Sequence, residues 1–202
     1  MGINVKHFAG LAAALMMIVS SGSVAHGQAQ NVRWDIINFA PGSPPTLSAG
    51  GVADAFARFP PPGAGLAMRI RLSGSGTFVA PASGGMSSAV TGGGTWETFS
   101  TTGASTRSGT YWVTRLAFWQ FTSPFAPGPI DLIGPDGANG NAFLRIQYSD
   151  GSEGVLGIGC HGPGAPNGIV EGVIASKGDV TYWDAGAPVA GVNTNRTAFH
   201  IE

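Results

Sequence analysis

The stretch GTYWVTRLAFWQFT, Gly109–Thr122, is the longest unbroken run of strand-forming residues in the chain and the richest in aromatic residues. It contains two of the five tryptophans, Trp112 and Trp119, and a single charged residue, Arg115. Alternate residues of a strand point to opposite faces, and here both sets are mainly apolar. The stretch therefore predicts a central strand that is covered on both sides, with Arg115 largely buried.

The rest of the chain consists of short runs rich in Val, Ile, Phe, Trp and Thr, bounded by Gly, Pro, Ser or Asn, which is typical of all-β proteins. No apolar pattern of helical period continues beyond two turns without an interrupting Gly or Pro. We predict strands at Val32–Phe39, Val52–Arg58, Leu66–Leu72, Ser75–Ala80, Gly94–Ser100, Gly109–Thr122, Ala142–Ser149, Glu153–Cys160, Gly168–Ala175, Asp179–Asp184 and Thr197–Ile201. Of these, Val52–Arg58 is equally compatible with two short helical turns.

Turn residues predict how some of these strands are connected. Asp150-Gly151 and Ser176-Lys177-Gly178 each lie between two apolar runs, where Gly supplies the positive φ of a tight hairpin turn. Such short returns favour an all-β fold of about ten strands with Gly/Pro-rich loops, either an antiparallel β-barrel or, alternatively, a two-sheet β-sandwich. The longest connection, Ser123–Asn141, has no strand pattern, and loops of that length are usually functional or mobile.

Residues 1–29 have the order of a secretory signal peptide. Lys6 and His7 precede the apolar run FAGLAAALMMIV, and small polar residues follow it. Ala25, Gly27 and Ala29 are candidate cleavage positions. We expect cleavage after Ala29, which leaves residues 30–202 as a single β domain that is secreted or periplasmic. A membrane span needs about 20 apolar residues, so an uncleaved anchor helix is the weaker alternative, and no span is expected after cleavage.

The charge of the chain argues against nucleic-acid binding. Charged residues make up only 10% of the sequence and the formal net charge is −1. The basic residues are scattered, whereas a nucleic-acid-binding surface gains its affinity from a basic face that displaces counterions. We therefore predict no nucleic-acid partner.

Cys160 is the one cysteine, so no intramolecular disulfide can form. It shares a strand face with Leu156 and Ile158, which favours a buried thiol over an intermolecular bridge or a reactive site. Its neighbour His161 points to the opposite face, next to a Gly/Pro-rich loop, and is the better candidate for a ligand or acid–base group. The overlapping G-x-G-x-x-G match at Gly157–Gly162 is accidental, because Pro163 and Pro166 preclude the helix that a dinucleotide site requires.

No metal or cofactor is predicted. His161 and His200 are the only histidines after the leader, and they form no H-x-H or Cys-containing ligand pattern for Zn²⁺. Asn195-Arg196-Thr197 is a glycosylation sequon that we interpret as chance. The Gly-rich stretch GSGTF…TGGGTWETF loosely resembles secreted β-barrels of the dirigent and allene-oxide-cyclase kind over two strands, and this resemblance implies no activity.

Charged residues inside strands are the main candidates for a site. If Arg115 is buried it needs an acidic partner, and Glu97 or Glu171 would provide one, since each lies in the middle of an apolar run. In one interpretation an internal ion pair fixes strand register. In the other, a polar patch lines the mouth of a barrel and binds a ligand, and its members are Arg115, Glu97, Glu171, Arg145, His161, Trp96 and Trp119.

The sequence therefore predicts an exported binding or structural module, non-enzymatic in the preferred interpretation, with a possible pocket for a small, partly apolar ligand. One alternative is a pocket enzyme, an isomerase, cyclase or hydrolase, in which a buried Glu acts as the base and an Arg stabilises negative charge. Another is a self-associating surface protein, in which the aromatic face of Gly109–Thr122 packs on a second copy as a homo-oligomer.

Overall fold

The computed structural model describes residues 28–57, 66–189 and 193–202, and within these ranges every regular element is a strand. In chain order the strands are β1 (Gln30–Ala40), β2 (Thr46–Ala49), β3 (Ala53–Phe56), β4 (Arg69–Leu72), β5 (Ser75–Ala80), β6 (Gly93–Phe99), β7 (Ser105–Pro124), β8 (Ile130–Asp131), β9 (Gly137–Tyr148), β10 (Glu153–Cys160), β11 (Gly172–Lys177), β12 (Val180–Tyr182), β13 (Asp184–Ala185) and β14 (Thr197–Ile201). The predicted signal peptide lies outside the described residues, apart from Gln28 and Ala29. A search of the described ranges finds no helix that could span a membrane.

Six strands form a closed antiparallel barrel. Around the barrel each strand is hydrogen-bonded to the next in the order β1, β5, β6, β7, β9, β14 and back to β1. The sheet also continues from β9 through β10, β11 and β12, and from β6 through β4, β3 and β13. The prediction of an all-β barrel is therefore confirmed.

One apolar core fills the space that these strands enclose. On β1 the alternate residues Val32, Trp34 and Ile36 are fully buried, as the two-residue period of a strand requires. They pack with Phe78 of β5, with Leu144 of β9 and with buried residues of the other strands in a single cluster. A smaller cluster of Ile37, Leu47 and Ala198 lies on the other face of β1.

Strand β7, which contains the stretch Gly109–Thr122, does not alternate as the sequence predicts. Its pairing with β9 shifts register between Val113 and Arg115, between Leu116 and Phe118, and between Phe121 and Ser123. Because each bulge adds an unpaired residue, the inward positions run Tyr111, Val113 and then Leu116. The prediction that both faces of β7 are covered is wrong, since its outer face leaves Trp112, Phe118 and Phe121 between 43% and 44% exposed.

Both predicted hairpins are present. β9 and β10 pair around Asp150-Gly151, where Gly151 has φ 86°, and β11 and β12 pair around Gly178, where φ is 55°. Within the described part, Val52–Arg58 contains strand β3 and no helix. The long connection is shorter than predicted, because β7 extends to Pro124 and β9 begins at Gly137. The intervening segment contains β8, a strand of two residues that pairs with the four-residue strand β2. The sequence pattern does not indicate either of these strands.

Candidate functional site

The polar patch predicted around Arg115 does not assemble. Arg115 is exposed on the outer face of β7, and within the described residues its guanidinium contacts Met86 Sδ at 4.0 Å and no acid. Its cross-strand partner on β9 is Arg145, which is also exposed. The prediction that Arg115 is buried and paired with an acid is wrong, because the bulge after Val113 moves Leu116 into the interior instead.

Glu97 is not in contact with Arg115. It is partly buried on β6, directly opposite Arg71 of β4, and its charge contributes to raising the pKa of Arg71. The larger cause is Asp54, whose carboxylate accepts hydrogen bonds from Arg71 Nε at 2.8 Å and Nη2 at 2.9 Å. Glu97 therefore belongs to a partly buried charge cluster with Arg71 and Asp54 and is not the partner of Arg115.

The two candidate tryptophans have structural contacts and do not share a site. Trp96 is 2% exposed, and its Nε1 donates to the Thr110 carbonyl at 3.0 Å. Trp119 packs edge-on against Phe199 at 4.7 Å between ring centroids, and its Nε1 donates to Gln30 Oε1 at 3.1 Å. Trp96 pairs in register with Gly109, ten positions before Trp119 on β7, so the two rings lie at different heights in the barrel.

Glu171 and His161 are the two predicted site residues that the structure does bring together. His161 follows the last residue of β10, and Glu171 precedes the first residue of β11, where Gly159 and Gly172 are paired. Glu171 Oε2 accepts a hydrogen bond from the His161 main-chain N–H at 2.5 Å. Its Oε1 accepts one from the main-chain N–H of Thr197, the first residue of β14, at 2.7 Å. One carboxylate thus connects the ends of three strands.

The surroundings of Glu171 change its acidity. Loss of solvation raises the pKa of Glu171 to about 7, although the two main-chain donors and the charges of Arg196 and His161 act in the opposite direction. The imidazole of His161 is exposed, and its Nδ1 lies 2.8 Å from the Ile169 carbonyl. Because a carbonyl can only accept, this nitrogen carries the proton in the neutral ring and Nε2 has the free lone pair.

Cys160 contributes no reactive group here. It is fully buried, and its thiol donates to the Thr197 carbonyl at 3.2 Å. Burial raises the pKa of the thiol well above its ordinary value, with the charge of Glu171 acting in the same direction. The interpretation of Cys160 as an inert core thiol agrees with this environment.

Arg196 is the functional candidate that the sequence does not predict. Its guanidinium carbon lies 4.3 Å from the centre of the Phe39 ring, and its Nε is buried without a hydrogen-bond partner. Within the described residues its side chain forms no ion pair, although its charge acts on Glu171. The preceding Asn195 adopts a positive φ of 60° and accepts a hydrogen bond from the Asp54 main-chain N–H at 2.8 Å, which fixes the approach to β14.

These groups border a cavity of about 260 Å³, which we call the lateral pocket. Its walls come from β1 and β2, from the segments around Phe125 and His161, and from the start of β14. The lining residues are Ile37, Phe39, Pro45, Leu47, Phe125, Pro129, His161, Gly162, Pro163, Glu171, Arg196 and Thr197.

The segment between β7 and β9 forms one wall of the lateral pocket and is held against the barrel. The Phe125 N–H donates to the Gly137 carbonyl at 2.7 Å, and the Ile130 N–H donates to the Pro45 carbonyl at 2.8 Å. Asp131 Oδ2 lies 2.8 Å from Nε2 of the buried His200. The pocket wall is therefore an organised part of the fold, unlike the structureless loop that the sequence predicts.

Metal ligation is not supported by the described side chains, among which no three His, Cys, Asp or Glu residues lie together as a metal would need. The fold and the lateral pocket define the chain as an antiparallel β-barrel with a mainly apolar pocket that is bordered by the charged residues Glu171 and Arg196. No protein-family model matches the chain, and comparison with curated proteins and with solved structures finds no match.

Proposed function

We propose that the protein is an exported, non-enzymatic binding module whose lateral pocket holds a small, partly apolar molecule with an anionic group. The observation that carries this proposal is Arg196, a cation at the edge of an apolar cavity with no ion pair to any described residue. Buried or half-buried guanidinium groups are normally paired with carboxylate or phosphate, so a bound anion would complete the site. Export is supported by the signal-peptide pattern of residues 1–29.

The size and lining of the lateral pocket limit the ligand. A cavity of about 260 Å³ is slightly smaller than the range of about 300–1,000 Å³ that most small-molecule sites occupy, so it suits a small ligand. Ile37, Leu47 and Phe125 would contact the apolar part of the ligand, while the anionic group would lie on Arg196. A molecule of the size of phenylacetate meets both conditions.

Glu171 would make the lateral pocket selective for ligands that carry a single negative charge. With a pKa of about 7, Glu171 is substantially protonated at neutral pH, so it can present a neutral carboxyl group beside the anion. Once ionised, Glu171 would repel the anion and compete for Arg196. Binding should therefore strengthen as the pH falls from about 8 to about 6.

Calorimetric titration with phenylacetate, and with its neutral analogue phenylacetamide, tests this function. Arg196→Gln should weaken phenylacetate binding by about tenfold to a hundredfold, because a hydrogen bond to a charged group contributes about 1.5–3 kcal/mol. The matched control is Arg115→Gln, which removes an exposed arginine outside the pocket and should leave binding unchanged. Equal binding of the two probes, or equal loss in both variants, would refute an anion site at Arg196.

A second candidate function is an enzyme that moves a proton from carbon, and the pKa of Glu171 is the observation that favours it. A carboxylate with a pKa of about 7 can act as a general base at neutral pH, with Arg196 stabilising the charge that develops on the substrate. Both Glu171 oxygens already accept main-chain hydrogen bonds, which favours the binding function. Proton nuclear magnetic resonance in D₂O separates the two, because only the enzyme would exchange the α-protons of bound phenylacetate, and Glu171→Gln would abolish that exchange.

A further inference from the structure

A second concave site lies on the outer surface of the barrel, apart from the lateral pocket. Strands β7, β9, β10 and β11, together with Trp183 and Ala185, enclose a groove of about 400 Å³, which we call the aromatic groove. Four of the exposed apolar side chains line it, with exposed fractions from 37% to 67%: Phe118, Phe143, Val170 and Trp183. Exposed apolar side chains that gather at one concave place usually mark a binding surface.

Two glycines of β10 allow the walls of this groove to pack closely. A Cβ on Gly157 would meet the side chains of Ile174 and Phe143, and one on Gly159 would collide with the Val170 carbonyl oxygen. The glycines therefore let Ile174, Phe143 and the main chain of Val170 pack directly on β10, and this close packing sets the shape of the groove. Neighbouring β10 positions that face the core, such as Leu156 and Ile158, have large side chains instead.

The polar groups of the groove are amides. Gln120 and Asn141 both line it, and within the described part of the chain neither side chain makes a hydrogen bond. An amide offers both a donor and an acceptor, which matches a hydroxyl group that itself donates and accepts. None of the described lining residues is ionisable, so the groove suits an uncharged ligand.

The arrangement of the rings favours a puckered ligand over a flat one. Phe118 and Phe143 meet edge to face, with centroids 6.1 Å apart and planes inclined by 61°. They form a corner, and not the parallel slot in which a planar aromatic molecule would stack. Sugar rings combine a face of C–H groups, which packs on aromatic rings, with a rim of hydroxyl groups for the amides and for water.

We propose that the aromatic groove binds an uncharged carbohydrate. The apolar face of one sugar ring packs on Trp183 and in the corner of Phe118 and Phe143, while Gln120 and Asn141 bind its hydroxyl groups. This site is distinct from the lateral pocket, because the two have no described lining residue in common. Failure of either proposal leaves the other standing.

Titration of the purified protein with uncharged oligosaccharides tests the proposal, and the probes are the gluco-, xylo-, manno- and galacto-configured series. At least one probe should bind, and Trp183→Ala and Gln120→Ala should each weaken that binding, the former by about tenfold, as the loss of one aromatic contact implies. Both side chains are exposed, so neither variant should unfold the protein. The matched control, Trp112→Ala, removes an exposed tryptophan of β7 outside the groove and should bind as the wild type does.

Two outcomes would overturn the proposal: no probe binds, or binding is unchanged in both groove variants. If no probe binds, and the wild type sediments as a dimer that is lost in Trp183→Ala, a second copy of the chain covers the groove instead of a sugar.

Discussion

The Glu171 carboxylate accepts a hydrogen bond from the Thr197 main-chain N–H at 2.7 Å, so a side chain that precedes β11 binds the first residue of β14. The other carboxylate oxygen bonds the main chain at the end of β10. The same group that borders the lateral pocket therefore also stabilises the barrel. Its two roles can be separated by measurement.

Glu171→Ala should lower the free energy of unfolding by about 2–4 kcal/mol, because two main-chain donors lose their acceptor. Urea denaturation at about pH 6 measures the change. The control Glu153→Ala removes an exposed acid of β10 and should change stability by less than about 0.5 kcal/mol. A loss below about 1 kcal/mol for Glu171→Ala would mean that water replaces the carboxylate at both donors.

Stability should also depend on pH through Glu171. Its pKa is about 7 in the folded protein and 4.5 in the reference state, so between these values the folded protein binds more protons than the unfolded chain. The contribution of Glu171 to stability is then fully present below about pH 4.5 and is lost as the pH rises through about 7, by up to about 3 kcal/mol. Arg196 and His161, which face Glu171, reduce the effect, and the buried Cys160 thiol stays neutral in this range.

Unfolding measured from about pH 4.5 to 8 for the wild type and for Glu171→Gln isolates this dependence, because all other groups are common to both proteins. The difference in stability between the two should change across this range in the direction given above. Parallel pH profiles would show that Glu171 titrates near its reference pKa in the folded protein.

The ion pair of Asp150 and Lys177 gives a prediction for strongly acidic pH. Lys177 Nζ lies 2.5 Å from Asp150 Oδ2 and 4.2 Å from the centre of the Trp96 ring, and its hydrogen bond is the main cause that lowers the pKa of Asp150 to about 2. Lys177→Met keeps the aliphatic contact with Trp96 and removes the charge. The pKa of Asp150, measured by carboxyl nuclear magnetic resonance, should rise toward 3.8 and stop short of it, because Ser152 still donates. An unchanged pKa would contradict the pairing, and Arg115→Met provides a charge-removal control.

Arg115 and Arg145 test the corrected register of β7. They face each other across the β7–β9 pair on the exposed surface, where like charges are mildly unfavourable. Arg115→Glu should therefore be neutral or stabilising, within about 1 kcal/mol. A buried Arg115 would instead make this variant lose several kcal/mol, roughly 3–5, so urea denaturation distinguishes the two registers.

The sequence predicts well those strands and turns that depend only on the local pattern of residues. Val32–Phe39 alternates from Val32 to Ile36 and lies within β1, and the turn residues Asp150-Gly151 and Gly178 mark both hairpins. The register of β7 is not predictable in this way, because bulges depend on how β9 pairs with it and leave no signal in GTYWVTRLAFWQFT. The apolar residues on both faces of this stretch predict that Arg115 is buried, whereas the outer face of β7, which includes Arg115, is exposed.

The candidate site was predictable only in part, for a related reason. His161 and Glu171 stand out in the sequence as polar residues at the end and in the middle of apolar runs, and the pairing of β10 with β11 brings them together. Arg196 is 25 residues beyond Glu171, and only the return of β14 to the barrel places it beside them. In the sequence Arg196 is marked only by its position immediately before a predicted strand. That position does not reveal which residues of other strands lie beside it.

The most direct test of the lateral pocket is to follow the arginine Nε–H resonances of the protein during titration with phenylacetate. The Arg196 signal, which comes from a buried and unpartnered group, should shift and saturate at the affinity found by calorimetry, while the Arg115 signal stays in place. Binding that leaves the Arg196 resonance unmoved, or no binding by a correctly folded protein, would contradict the assignment of an anion site.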